Sequence, residues 1–427
     1  MNTDSDIAGP PEAASSPLVA CHDCGSLHRL GVIRAGEAAV CRRCGSSLAV
    51  AHHNSIERSL ALHIAAAALF ITANTLPFMT FELEGRQLTT RLWEGAVALT
   101  NAGMWPLGFL VMMVGTIVPG LKIAIATAVL GALRFGHRGR WIATGLRWMM
   151  ILRPWSMIEV FLLGVIVGYV KLIELARLEL HAGLWSLALL IPVLTAAEFI
   201  LNRHEAWNML QPQRRAGDGD GDGVDAGRLV ACHDCGQLNE DATGHGACSR
   251  CGSALHRRKA DSIASTWALV VAAVVLYIPA NVFPVMRVVS FGSGEPDTIL
   301  SGVITLVEHG MVPIALLVLF ASILVPVLKL ATLAYLLISV QFGARRSTRD
   351  RTRLYRIIEV IGPWSMVDVF MIAILAALVD LGQIATIEPG PGALAFASVV
   401  ILTMFAAMRF DPRLMWDAED LGENDRV

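Results

Sequence analysis

Residues Ala20-Cys21-His22-Asp23-Cys24-Gly25 return unchanged as Ala231-Cys232-His233-Asp234-Cys235-Gly236. Outward from that pair the match continues in order. Cys41-Arg42-Arg43-Cys44-Gly45 returns as Cys248-Ser249-Arg250-Cys251-Gly252, and Ala73-Asn74 with Pro77 returns as Ala280-Asn281 with Pro284. Gly103-Met104 with Pro106, Pro119 and Lys122 returns as Gly310-Met311 with Pro313, Pro326 and Lys329. Pro154-Trp155-Ser156-Met157 returns as Pro363-Trp364-Ser365-Met366. The separation is 211 positions at the first motif, 207 at the second and 209 at the last, so order is kept with small insertions. A sustained long period marks internal duplication. The chain is one unit written twice, a cysteine module followed by an apolar module.

Composition places the apolar modules in a membrane. Of 427 residues, 55% are hydrophobic and 16% charged, with a mean hydropathy of +0.57; a soluble domain carries roughly a quarter charged residues. The 34 basic and 36 acidic residues nearly cancel, which removes a general case for nucleic-acid binding. The opening MNTDSDIAGPPEAASSPLVA has neither a basic leader nor an apolar core, so no secretory signal peptide is expected. Apolar stretches run near 58–79, 103–133, 154–170 and 184–201, then near 265–286, 310–340, 363–379 and 392–408. About 20 apolar residues cross the hydrocarbon core as a helix. The expected fold is therefore an all-α polytopic membrane protein, a tandem repeat of two four-helix transmembrane modules, each preceded by a small four-cysteine ribbon.

Loop charge predicts the orientation. Arg134, Arg138, Arg140, Arg147 and Arg153 crowd one loop, and Arg345, Arg346, Arg349, Arg351, Arg353 and Arg356 crowd its equivalent. The loops of the other side share only Arg86, Arg91, Lys171, Arg177 and Arg287. The positive-inside rule puts the Arg-rich loops, both cysteine modules and both termini in the cytoplasm. The expected organisation is a disordered N-terminus (1–19), ribbon 1 (20–52), transmembrane module 1 (55–208), a flexible linker (209–229), ribbon 2 (230–257), transmembrane module 2 (262–410) and a cytoplasmic tail (411–427). In the linker Asp218, Asp220, Asp222 and Gly223 imitate a calcium loop, but Leu229 stands where its closing Glu belongs.

All eight cysteines fall in Cys-x-x-Cys pairs: Cys21/Cys24 with Cys41/Cys44, and Cys232/Cys235 with Cys248/Cys251. One tight turn presents two thiolates to one ion, and a second turn completes a tetrahedron. Gly25, Gly45, Gly236 and Gly252 follow the pairs and suit such turns. Two ions are expected, one per four-cysteine site. Zn2+ fits best, which makes each module a zinc ribbon, and iron is the alternative, since four thiolates suit either. His22 and His233 lie within the pairs and read as exposed spacers.

Ionisable side chains inside spans are functional candidates, because a central charge costs at least about 2.5 kcal/mol. Lys122 and Lys329 lie in the second helix of their modules, and Glu159 and Asp368 lie in the third, so Lys122–Glu159 and Lys329–Asp368 are the natural pairs. Ser322 lies seven residues before Lys329, Ser365 three before Asp368, and Thr403 interrupts the final helix. Ser322, Lys329, Ser365, Asp368 and Thr403 make the candidate transport or proton pathway. Lys122, Ser156 and Glu159 form a poorer set, with Gly115 in place of Ser322. The alternative for either set is a structural ion pair that fixes helix packing. The intramembrane prolines read as kinks, and most of the tryptophans as an interfacial belt. Walker, nucleophile-elbow and HExxH motifs are absent, and His63 is the one histidine well inside a stretch, so haem lacks ligands.

The paired CxxCG ribbons, Pro-Trp-Ser-Met after an Arg-rich loop, the intramembrane lysine and the doubling together resemble the paraquat-inducible protein A family. The resemblance runs from Cys21 to about Trp416. It implies a non-enzymatic inner-membrane protein of Gram-negative bacteria that works with a periplasm-spanning MCE-domain tunnel protein. Such systems move phospholipids between the two membranes and protect the envelope; the membrane protein passes lipid between the bilayer and the tunnel. The resemblance also implies a polar network in the C-terminal module, at Lys329, Asp368, Ser322, Ser365 and Thr403. Proton coupling through the Lys/Asp pair is the expected drive. The competing readings are a passive anchor for the MCE partner and an iron–thiolate redox protein.

Overall fold

The computed structural model describes residues 18–31, 33–83, 86–172, 177–210, 229–240, 246–290, 293–343, 347–378 and 385–417. Residues 1–17 of the N-terminal tail, 211–228 of the linker and 418–427 of the C-terminal tail lie outside the described residues. Among the described residues, eight helices are long and apolar enough to cross a membrane. The first to fourth are Ser55–Thr75, Trp105–Arg134, Arg140–Val170 and Ala182–Ile200. The fifth to eighth are Ser262–Val282, Val312–Gln341, Thr348–Leu378 and Pro391–Arg409. In each module the first and last helices pair closely, and the long second helix packs against the first.

Three local departures from the sequence expectation have physical causes. The third and seventh helices begin well before 154 and 363 and take in the Arg-rich segments. Those segments are amphipathic, so Ile142 and Leu146 in one, Tyr355 and Ile358 in the other, are buried while most arginines face outward. The helices bend at short 3-10 turns, Arg153–Trp155 and Gly362–Met366. Pro154 and Pro363 have no N–H to continue the ladder, but each suits the first position of a new helical segment. In the second and sixth helices a single π-turn, Met113–Ile117 and Phe320–Leu324, precedes Pro119 and Pro326. The wider turn makes room for a ring that would strike the carbonyl one turn back.

The side opposite the ribbons carries strands. Met79–Leu83 lies between Arg86–Thr90 and Arg177–Leu180, all antiparallel, with Met79 opposite both Thr90 and Leu180. Met286–Ser290 lies likewise between Ser293–Asp297 and Ala385–Pro389. Met79 and Phe81 are fully buried and Thr80 between them is buried on Thr89 and His181, in a segment too short to stand out between helices. A short helix follows each hairpin, Glu94–Asn101 and Ile299–Glu308.

The seventh helix is the centre of the molecule. Every residue from Val367 to Ala376 is buried. It packs on the third helix, its repeat partner, and on Glu94–Asn101 of module 1. Glycines allow both approaches: a Cβ at Gly164 would lie 2.8 Å from the Phe370 side chain, and one at Gly95 2.8 Å from the Ala373 carbonyl.

The ribbons dock crosswise. Ribbon 1 rests on module 2, where Arg356 Nε of the seventh helix donates to Asp23 Oδ2 at 2.6 Å, and the Arg43 guanidinium lies 4.8 Å over Trp416. Ribbon 2 rests on module 1, where Arg147 Nε of the third helix lies 2.7 Å from Asp234 Oδ2, and Arg250 lies 5.7 Å over Trp207. Each residue of one contact is the repeat equivalent of its counterpart in the other, so the two halves exchange their ribbons. Arg147→Glu should free ribbon 2 and expose it to protease, and Asp234→Arg in the same chain should restore protection. Unchanged cleavage in the single variant would mean that the ribbon is held elsewhere.

Candidate functional site

The four cysteine turns share one geometry. In each, the first Cys N–H donates five residues ahead and the Gly N–H donates back to the first Cys carbonyl, as in Cys21 N to Ser26 O and Gly25 N to Cys21 O, both 2.9 Å. The glycines hold φ of 75, 75, 71 and 72°, the left-handed region that a side chain would strain. Within each ribbon the four sulfurs lie within 4.8 Å of one another. Cys21–Cys44 is 3.5 Å and Cys24–Cys41 3.6 Å; Cys232–Cys251 and Cys235–Cys248 are both 3.5 Å. A tetrahedral ion with about 2.3 Å bonds to sulfur needs separations near 3.8 Å, so each set fits one metal ion.

Polar groups surround the sulfurs, as a metal–thiolate site requires. Ser46 Oγ lies 2.9 Å from Cys21 and 3.1 Å from Cys44, and His28 Nε2 lies 3.1 Å from Cys41. Asn239 Nδ2 donates to Cys248 at 3.6 Å. Arg356 Nη2 reaches Cys44 Sγ at 3.3 Å, so the seventh helix touches the ribbon 1 metal site directly. His22 and His233 are 73% and 68% exposed, as expected of spacers, whereas Asp23 beside His22 is 4% exposed and bonded. Asp23 and Asp234 escaped the sequence reading, although the identical CHDCG motif carried them in both halves.

Inside the helices the five polar residues of module 2 are all buried, none more than 3% exposed. The structure joins two of them through a carbonyl: Lys329 Nζ donates to Gly362 O at 3.4 Å, and Ser365 Oγ donates to the same oxygen at 3.0 Å. Asp368 lies one turn beyond Ser365 on the seventh helix. The Lys329 ammonium thus meets a backbone carbonyl of the bend. The bend at Pro363 is what turns the Gly362 carbonyl toward Lys329. Ser322 sits in the π-turn, its hydroxyl buried without a hydrogen-bond partner among the described residues. Thr403 Oγ1 donates within its own helix, to Val400 O at 2.9 Å.

Module 1 resolves its lysine differently. Lys122 pairs with Glu198 of the fourth helix, which Arg153 Nε also approaches at 3.7 Å. The expected Lys122–Glu159 pair therefore gives way, because Glu159, just past the Pro154 bend, lies on an exposed face. Ser156 is half-buried in the bend. Glu198 and Gly362 are the residues that the sequence reading missed. The repeat held the clue to both, since Arg153 stands where module 2 has Gly362 and Glu198 stands where it has Ala407. A Cβ at Gly362 would lie 3.2 Å from Lys329 Nζ. Gly362→Val should push the ammonium off its carbonyl and cost about 1–3 kcal/mol by overpacking. A thermal midpoint in detergent equal to wild type would show that the lysine has other room.

Comparisons with known proteins agree with this architecture. The family described as Paraquat-inducible protein A matches at residues 56–211 and again at 263–420. The chain is 33% identical to the Intermembrane transport protein PqiA of Escherichia coli strain K12 over 409 residues, 95% of this chain and 97% of that one. It is 31% identical to the Lipophilic envelope-spanning tunnel protein A of the same organism over 403 residues, 94% and 92% of the two chains. It is 27% identical to a Probable intermembrane transport protein of Haemophilus influenzae over 424 residues, 96% and 99% of the two chains. No solved structure matches it. With both repeats matched and the relatives covered nearly end to end, the chain is a multi-pass membrane protein of the paraquat-inducible protein A family.

Proposed function

We propose that this protein passes phospholipid between the inner membrane and an MCE-domain tunnel, and that the route runs through module 2. The observation that carries the reading is the buried set Ser322, Lys329, Ser365, Asp368 and Thr403 around the central helix. Polar and ionisable groups buried at membrane depth are costly and mark transport paths. Beyond Asp368, the same helix lines a narrow apolar gap with Ala373, Ile374 and Leu378, against Phe78 and Phe161 of module 1. A headgroup held by the polar set and a chain seated in that gap would divide one amphipathic molecule between them. The relatives are named as transport proteins, which favours this reading over catalysis.

Protonation is the proposed drive. Lys329 is held by the carbonyl of Gly362, and Asp368 stands on the same seventh helix less than two turns further on. An ammonium so placed can exchange its partner when either ionisable group gains or loses a proton. The positive-inside count favours cytoplasmic ribbons and termini, with the strand hairpins facing the periplasm and the tunnel. Phospholipid transfer from proteoliposomes to the isolated MCE partner tests the route. Asp368→Ala should abolish it at equal insertion, and equal transfer would reduce the cluster to packing and favour a passive anchor.

Zinc is the proposed ion in both ribbons, as a structural element that stiffens the ribbon face. Purified protein should be colourless and hold two zinc ions, and Cys248→Ser should hold one and accumulate less. Visible iron–thiolate absorption would instead support the redox alternative.

A further inference from the structure

Module 1 holds an open cleft on the ribbon side of its helices. It is lined by His63, Lys122, Arg153, Glu198, Arg203 and Trp207, with methionines of the third helix between them. Three cations face one carboxylate there, and with Glu159, which acts electrostatically on Lys122 and Glu198, the five groups carry one net positive charge. Lys122 is committed to Glu198. Arg153 is only loosely engaged, at 3.7 Å, and Arg203 stands at the exposed rim with no ion-pair partner among the described residues. A phosphodiester carries the single negative charge that this excess would neutralise, and arginine is the residue best shaped to grip it.

A second, independent feature points to the rest of the ligand. His63 is 1% exposed. Its Nδ1–H donates to the Ser59 carbonyl at 2.8 Å, which leaves Nε2 as an acceptor, and Nε2 is buried without a partner. An unsatisfied acceptor beside a cationic rim suits a group that carries a hydroxyl or ammonium donor next to its phosphate. Acyl chains would lie outside the cleft, where Trp148 and Ile151 of the third helix present exposed apolar surface. Lys122 and Trp207 recur in the repeat as Lys329 and Trp416, but the other four do not. Module 2 has Val270 for His63, Gly362 for Arg153, Ala407 for Glu198 and Pro412 for Arg203.

We propose that this module 1 cleft is a binding site for a phosphate-bearing headgroup with an adjacent hydrogen donor. The site stands apart from the module 2 route and does not need that route to conduct. The test uses the full chain in nanodiscs of phosphatidylethanolamine and phosphatidylglycerol, with a benzophenone amino acid at Met150 and, separately, at lipid-exposed Tyr335. Wild type should give a phospholipid adduct at Met150, and Arg203→Gln with Arg153→Gln should lower it about tenfold. The Tyr335 adduct should not change, which shows that the variant is inserted. Arg203→Gln alone, at the exposed rim, should give a smaller loss in the same direction. Suppression of the Met150 adduct by excess inorganic phosphate would identify free phosphate as a source of the same chemistry, and no suppression would identify the lipid headgroup. A Met150 adduct that survives both substitutions unchanged, or none in wild type together with no phosphate binding, would overturn the proposal.

Discussion

An ammonium group among apolar helices has to be satisfied locally, and the duplicated unit places one at Lys122 and again at Lys329. The two halves answer differently. Module 1 supplies a carboxylate, Glu198, from the fourth helix, so charge meets charge. Module 2 has an alanine there and supplies instead the Gly362 carbonyl, freed at the Pro363 bend. An ion pair in low dielectric is held by both partners and is costly to part. A lysine on a carbonyl is held more weakly. The first solution suits a fixed site and the second suits a site that changes, so two copies of one fold offer different chemistry.

The exchange of ribbons ties these two tasks together. Ribbons of this size bury too little to hold a core without metal, so an ion on the four sulfurs would make each a rigid clip. Ribbon 1 clips the seventh helix through Arg356, which bonds both Asp23 and Cys44. Asp368 lies twelve residues further along that helix, about 18 Å away. Ribbon 2 clips the third helix through Arg147, and the third and seventh helices meet at Gly164. Load applied to one ribbon therefore bears first on the opposite module.

Much of this was legible in the residues. The duplication, the eight helices and the two four-sulfur sites follow from spacing and hydropathy, signals that are local and repeated twice. The buried positions of Ser322, Lys329, Ser365, Asp368 and Thr403 follow from helical periodicity. The pairing did not. A one-dimensional reading pairs Lys122 with the acid on the next helix, whereas the Pro154 bend swings Glu159 outward and brings the fourth helix within reach. Crosswise docking was equally hidden, because Asp23 has an equivalent arginine available in either half and sequence distance favours the wrong one. The strands escaped because five-residue alternation carries little signal beside thirty apolar residues.

The crossed contacts also bear on why the two units remain in one chain. In a symmetric dimer of single units the same exchange would form, but every substitution would appear in both halves. Fusing the units lets Arg153 stand where the other half has Gly362, Glu198 where it has Ala407 and Leu194 where it has Thr403. The seventh helix then becomes the buried centre, while its partner, the third, keeps an exposed face at Trp148 and Ile151. A buried helix with polar groups needs a supporting shell on all sides, and module 1 provides half of it through Gly95 and Gly164. On this view module 1 is more than an inert copy. It is the wall against which module 2 works, and its own charged cleft is open to evolve a separate ligand without disturbing that wall.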